Sequence, residues 1–437
     1  MKIKSEIKLI DYFKIIFLLL PALVSSIRSF RYFRIIDSNS WQTTDWLINY
    51  ETGFLRRGLS GTLLNKLSSV FGPLDINMFC LFITLLCIWI ISVLFILLSR
   101  SSNFLSRLTL CFSPFIYPLF FFWNPQAGGR KEIIGIFFII LVCCGKFLKR
   151  QNELKYLLSL GVFLLPSLIL MHEALFFLCL PYIIISLIFW IINEKEIRII
   201  DLRKFLIKNY LKFTSVILPS SIVFVVIYLY SFPSSERVSK MCLSLKEVYD
   251  DLICTNLPAA FDALAGITNY TAIFSSTYKS PIIYVQWFLC LIYLILFFSN
   301  VVAKIILSGS NFYKLNLIKS TSFVCLSISL FIFIMSFPLY AVALDYGRWI
   351  VFTFTGTSLF ILFNAKNIIF ISHFFIRNFE NNFIKNSFFN KILIPNNKNL
   401  IFLLFLTSII RIQNCCDGFL SNDPFLFGFF SKILNYF

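Results

Sequence analysis

The chain predicts an all-α, polytopic membrane protein with about eleven transmembrane helices and interfacial amphipathic helices on one face. Three observations carry this. Hydrophobic residues fill 58% of the 437 positions, charged residues only 14%, and the mean hydropathy is +0.83. Apolar runs of roughly 17 to 25 residues recur along the whole length. None of them alternates at period two, as a barrel strand would. Without water in a bilayer core, every backbone N–H and C=O must be satisfied inside its own segment, which leaves the helix as the answer for such continuous runs. The chain reads as a single integral-membrane domain, 1–437.

Taken in order, the first run, roughly Ile10 to Ile27, follows a basic start (Lys2, Lys4, Lys8). No small-x-small cleavage site precedes Arg28, Arg31 and Arg34, so it reads as an uncleaved first span. Further runs centre near residues 88, 115, 139, 163, 183, 221, 291, 331, 356 and 405. With the N-terminus cytoplasmic, the inside segments hold 24 of the 39 basic residues and seven of the 21 acids. That leaves about +17 inside and about +1 outside, the asymmetry the positive-inside rule favours. The formal charge of +18 is then mostly a topology signal, and no nucleic-acid partner is needed to explain it.

The outer face carries mixed-sign charge clusters at the ends of helices. Its first loop, roughly 28–75, is the richest: it holds Asp45-Trp46 and then Tyr50-Glu51-Thr-Gly53-Phe-Leu-Arg56-Arg57-Gly58-Leu-Ser-Gly61. Beyond it Leu59, Leu63, Leu64, Leu67, Val70 and Phe71 recur at helical spacing, which predicts an amphipathic helix in the outer interface. Arg56 and Arg57 at its N-terminal end suit a phosphate or pyrophosphate, since backbone N–H groups and guanidiniums both favour anions. Snorkelling of the arginines to lipid headgroups is the other reading. Two more clusters reach this level, Gly129-Arg130-Lys131-Glu132 in a short turn and Asp345-Tyr-Gly-Arg348-Trp349 in an apolar hairpin. Such groups are costly at membrane depth unless they pair or meet a ligand, so a packing salt bridge and a binding role are both open for Asp345 and Arg348.

His172-Glu173 interrupts a run from Leu157 to Ile192 with no hydrophilic loop. In a poorly solvated niche a carboxylate tends to have its pKa raised, and a neighbouring His can bind or relay a proton, the properties of a general base. A satisfied core histidine is the plainer alternative. There is no H-x-x-H, D-x-D or clustered Cys/His spacing, so no metal is expected, and neither a P-loop nor a Gly-rich nucleotide fingerprint calls for a cofactor. Eight of the twelve cysteines fall in apolar spans. Cys242 and Cys254 share the second outer loop, roughly 232–280, where an oxidising compartment would allow a disulfide. The two outer loops are expected to cap an outward-facing cavity.

The segment Tyr50-Glu-Thr-Gly-Phe-Leu-Arg-Arg-Gly-Leu, with Gly129-Arg130-Lys131-Glu132, His172-Glu173 and Asp345-Tyr-Gly-Arg348, resembles motifs of bacterial O-antigen polymerases. These belong to the polyprenyl-phosphate-dependent integral-membrane glycosyltransferases. The resemblance implies a multi-pass protein of the bacterial inner membrane with its site on the periplasmic face. It implies polymerisation of lipid-linked oligosaccharide repeat units, with undecaprenyl-diphosphate-linked oligosaccharide and membrane lipids as partners and a chain-length regulator as a further candidate. In that frame Arg56, Arg57, Arg130, Lys131 and Arg348 hold the diphosphate. Glu173 or His172 accepts the proton of the attacking hydroxyl, and Asp45, Glu51 and Asp345 orient arginines or sugar hydroxyls. Trp46, Tyr50 and Trp349 are candidates to stack on sugar rings. An outer-face transferase or ligase using a polyprenyl-phosphate sugar, and a transporter of an anionic lipid-linked glycan, are the competing classes.

Overall fold

The computed structural model of the chain describes residues 2–195, 202–231, 233–265, 281–308, 315–342, 346–379, 397–409 and 412. No β-strand occurs among them. Among the described residues seven helices are long and apolar enough to cross a membrane, or eight when one bent pair counts as a single span. That is fewer than the eleven expected. The difference lies in three segments. Near residue 115 the chain forms two helices of eight and seven residues, Phe104–Cys111 and Tyr117–Trp123. At 1.5 Å per residue neither approaches the ~30 Å of a hydrocarbon core. Pro114 sits in the break and Pro118 at the start of the second helix, and proline can neither donate a backbone hydrogen bond nor follow a helical residue comfortably. Near 139 and 405 the helices are Ile133–Cys144 and Asn397–Ile409, of 12 and 13 residues. Leaving out the two consecutive spans near 115 and 139 keeps the parity of every later segment, but counting no longer places the turn 124–132 between them on the face of the other clusters; hydrogen bonds from Gln42 and Trp46 to its backbone are what bring it to the first loop.

The chain divides into two compact units, one made of 1–28, 86–125 and 274–437, the other of 29–85 and 126–273. The first contains the spans Gln286–Ser308 and Leu315–Tyr340 and the bent pair Gly347–Phe363 and Ala365–Phe374. Within it a π-helical turn at Phe297–Val302 frees the Ser299 carbonyl, which accepts the Ser322 hydroxyl at 2.9 Å.

The second unit carries the clusters of interest, and its elements are labelled here. They are α1 (Trp41–Leu47), α2 (Gly58–Phe71), α3 (Ile133–Cys144), α4 (Leu165–Met171, which continues Arg150–Ser159 through a π-helical turn), α5 (Leu175–Lys195), α6 (Leu202–Tyr230), α7 (Ser235–Lys246) and α8 (Ala259–Ala265). The outward side chains of α6, among them Leu211, Leu218, Ile222, Val225 and Leu229, are exposed, the surface a lipid-facing helix presents.

The two loops expected to share one face fold together rather than separately. Trp46, Leu47, Ile48, Leu55 and Leu64 from the first loop form one buried cluster with Val238, Met241, Cys242, Leu245, Leu252, Phe261 and Leu264 from the second. Cys242 and Cys254 are joined by a disulfide. Hydrogen bonds bind the loops further: the Ile253 amide donates to Asn39 Oδ1 at 2.8 Å, and the Ala260 amide to Thr44 Oγ1 at 3.4 Å. The amphipathic helix predicted after Arg57 is present as α2, with Gly58, Ser60, Gly61, Leu64 and Ser68 buried and Leu63, Leu67, Val70 and Phe71 exposed. Its apolar exposed stripe is the face an interfacial helix turns to lipid. Residues 266–280 of the second loop, Asp345, Cys415 and Cys416 lie outside the described residues.

Candidate anion-binding site

Everything in the site hangs on α1 and the turn it grips. Ser40 caps α1, its hydroxyl accepting the Thr43 amide at 3.4 Å. The seven-residue helix then presents one face made of Trp41, Gln42, Asp45 and Trp46, an i, i+1, i+4, i+5 pattern. Each of these meets the turn 126–131. Gln42 donates to the Gln126 carbonyl and Trp46 Nε1 to the Gly129 carbonyl. Asp45 lies 3.9 Å from Lys131 Nζ, and the Arg130 guanidinium sits 5.1 Å over the Trp41 ring. Gly129 is required here: at φ +70 a side chain is disfavoured, and a Cβ would stand 2.7 Å from that of Cys80.

The next element is the entry to α2. Arg57 is its N-cap residue and takes the left-handed conformation (φ 66, ψ 10), the one non-glycine residue with positive φ among those described. That costs ~1–2 kcal/mol for a residue with a Cβ. Lys131 holds the strained peptide by donating to the Arg57 carbonyl at 2.9 Å. Gly58 and Gly61 let the helix approach so closely: a Cβ on Gly58 would lie 2.2 Å from the Tyr50 ring, and one on Gly61 would lie 2.3 Å from the Ile48 carbonyl oxygen. Two of the first-turn amides of α2 are already used, Gly58 donating to Leu55 O and Gly61 to Ile48 O. The anion affinity expected of this helix start therefore falls chiefly to the guanidiniums.

The third contributor is the loopless connection between α4 and α5. His172 ends α4 in an extended conformation, and Glu173 points at the arginines. Arg57 Nε donates to both Glu173 oxygens at 3.1 and 3.0 Å, its Nη2 donates at 2.7 Å, and Arg56 Nη1 stands 3.8 Å away. On its other side Arg57 Nη1 is 3.5 Å from Asp45. The Arg56 amide donates to Ser231 Oγ at 2.6 Å, so the end of α6 joins the same group. Asp45, Arg56, Arg57, Lys131, His172 and Glu173, read separately in the sequence, thus converge on one end of the unit.

The electrostatics differ from the expectation for a base. Burial raises the Glu173 pKa, but Arg57, with Arg56 beside it, outweighs it and holds the carboxyl well below its ordinary value. Asp45 behaves likewise: burial pushes it up, Lys131 and Arg57 pull it down further. Burial and the neighbouring Arg57 depress His172. Its Nδ1 accepts the Ala174 amide at 3.2 Å, so the neutral ring carries its proton on Nε2, which faces Glu132 at 3.5 Å. With Nδ1 engaged and Nε2 protonated, His172 has no lone pair to offer a substrate, and it acts by orienting. Lys131 is fully buried and burial lowers it to about 8, opposed by the charge of Asp45.

Accessibility ranks the members. The side chains of Asp45, Lys131, His172 and Glu132 are 1%, 0%, 3% and 4% exposed, whereas Arg56, Arg57 and Glu173 reach 19%, 19% and 22%. The cluster is a buried ion network whose outer members alone meet solvent. Two further expected members of the same unit, Arg130 and Glu51, direct their side chains elsewhere. Arg130 turns to Trp41, Glu51 is exposed and bonds Asn65 and Ser244, and Arg348 belongs to the first unit, buried in its helix. Trp46 and Trp349 are 2% and 4% exposed and are closed to sugar stacking, while Tyr50 stacks on Phe54 at 5.6 Å. Glu132 is the member that sequence reasoning left without a role. Its place beside Lys131 in a nine-residue turn between apolar runs was the available signal. Among the described residues no group of three or more His, Cys, Asp or Glu side chains is arranged to hold a metal ion. Compared with protein-family models, with curated proteins and with solved structures, the chain matches none.

Proposed function

We propose that the chain is a membrane glycosyltransferase of the O-antigen polymerase type, which transfers a glycan from undecaprenyl diphosphate to a lipid-linked repeat unit at the outer face of a bacterial inner membrane. The observation that carries this reading is the pair of solvent-reaching guanidiniums, Arg56 and Arg57, at the lip of a buried and nearly charge-balanced network. Preorganised cations at that position can stabilise the charge that develops on a diphosphate as the glycosidic bond breaks. Arginine suits the task because its planar fork matches phosphate oxygens two at a time. Arg130, over the Trp41 ring, and Glu51, bonded to Asn65 and Ser244, are left out of this clamp on geometric grounds. The disulfide in the loops that pack around the site supports the outer location, since such bonds persist on the oxidising side of a membrane. In cells carrying Arg56→Ala, Arg57→Ala or Glu173→Ala at matched expression, surface polymer should shorten or vanish; unchanged polymer length in all three overturns the proposal.

A second reading, transport of an anionic lipid-linked glycan, draws on the helix pair Gly347–Phe363 and Ala365–Phe374, bent by 76°, because broken spans recur in transporters. Flipping of the lipid-linked glycan in vesicles without bond formation favours it.

A further inference from the structure

We propose that the Arg57–Glu173 ion pair is a latch that the lipid diphosphate opens: phosphate oxygens replace the Glu173 carboxylate on Arg56 and Arg57, and the released Glu173 becomes the base for the attacking sugar hydroxyl. The inference rests on the diphosphate-binding reading above.

Three features of the cluster support the exchange. A carboxylate held through Nε and Nη2 of one guanidinium, with a second guanidinium at 3.8 Å, already occupies the fork that a phosphate would take. Glu173 is the one acid of the network that solvent reaches, at 22% exposure against 1% for Asp45 and 4% for Glu132, so an incoming anion competes with it and not with them. It also stands in a connection between two helices with no loop, where a side-chain rotation suffices and neither helix need move. Asp45 and the Lys131 bond to the Arg57 carbonyl keep Arg57 in place during the exchange.

The exchange changes what Glu173 is. Paired with Arg57 it is ionised and held well below its ordinary pKa, a poor base. Once Arg57 faces phosphate, its lowering influence is spent and burial remains, which raises a carboxyl. Glu173 then takes the proton of the acceptor hydroxyl. The hydroxyl oxygen's electron pair forms the bond to the anomeric carbon, and the bond from that carbon to the diphosphate oxygen breaks with its electrons. The charge gained by the diphosphate rests on Arg56 and Arg57. When the diphosphate leaves, Glu173 gives its proton to solvent and returns to Arg57. Substrate binding and base activation are thereby one event, which protects the donor from an idle base attacking through water.

The test uses the full-length protein in detergent micelles with inorganic pyrophosphate as the probe, by calorimetry in buffers of different ionisation enthalpy. Glu173→Gln should bind pyrophosphate about tenfold more tightly than wild type, because an internal competitor is gone. Wild type should take up a fraction of a proton more per pyrophosphate bound than Glu173→Gln, as the released carboxyl titrates nearer neutrality while staying largely ionised as a base, and Arg57→Ala should lose binding. Equal or weaker binding by Glu173→Gln with equal proton uptake removes the latch while leaving the diphosphate site standing. Failure of the wild type itself to bind removes the site and the latch together. If Glu173→Gln does not fold, proton uptake by wild type beyond that of pyrophosphate's own titration supports the latch, and its absence overturns it.

Discussion

Arg57 has two physical duties that substitution can separate. Its guanidinium makes three hydrogen bonds to Glu173 and one ion contact to Asp45, and its backbone holds a left-handed N-cap. Arg57→Ala removes the first and keeps the strain of the second. Taking one partner from a buried pair costs ~3–5 kcal/mol. Because the Arg57 and Glu173 side chains are 19% and 22% exposed, solvent screens part of the loss, and the low end, ~3 kcal/mol, applies. Arg57→Gly loses the same contacts but relieves the backbone, by ~1–2 kcal/mol where no Cβ is present. Glycine should therefore be the less destabilising change, by about 1 kcal/mol. Unfolding in mixed micelles, followed by tryptophan fluorescence with Trp41 and Trp46 as nearby reporters, measures both. An Arg57→Ala variant within ~0.5 kcal/mol of wild type, or a glycine variant less stable than the alanine one, refutes the reasoning.

Other consequences follow from the same geometry. Gly61→Ala should abolish folded protein, read as loss of the monodisperse peak in detergent, because its Cβ would stand 2.3 Å from a backbone oxygen that cannot swing aside. Breaking the Cys242–Cys254 disulfide, by Cys254→Ser or by reductant, should cost up to about 3 kcal/mol and make the packed loops susceptible to protease. The pH profile has two arms. Asp45, Glu173 and His172 are all depressed in the fold, so their stabilisation is present above the unfolded values, about 4 for the acids and about 6.5 for His, and is lost as pH falls through the folded ones. Lys131 is depressed to about 8, so the unfolded chain binds the extra proton between that value and 10.5 and stability rises with pH across that window. Lys131→Met should remove that rise from a plot of melting temperature against pH; an unchanged rise in the variant contradicts the assignment.

Much of this was legible in the sequence because membrane helices write themselves in long apolar runs. The spans near 19, 88, 163, 183, 221, 291 and 331 each correspond to a long apolar helix, and that near 356 to the first half of the bent pair. Near 115 hydropathy misled, yet Pro114 and Pro118 carried the warning that the run would not continue as one helix. The convergence of Arg57, Lys131 and His172-Glu173 was also legible, since charges at loopless turns between apolar segments have to find one another. Their individual directions were not. Adjacent residues in the turn 129–132 point different ways, so Arg130 goes to Trp41 while Lys131 goes to Asp45 and the Arg57 carbonyl. Sequence spacing does not reveal which neighbour lies inward. The pKa of Glu173 went the opposite way to expectation for a related reason: burial alone predicts a rise, and the partner that reverses it lies 116 residues earlier in the chain.

The central claim is that the Arg56–Arg57 lip serves bond formation on a lipid diphosphate. Purified protein incubated with undecaprenyl-diphosphate-linked repeat units tests it most directly. The account predicts a ladder of polymer products from wild type and none from Arg56→Ala or Arg57→Ala proteins that remain folded. A ladder of equal length from both variants, or no product from active-site-intact protein that flips the same lipid in vesicles, contradicts it.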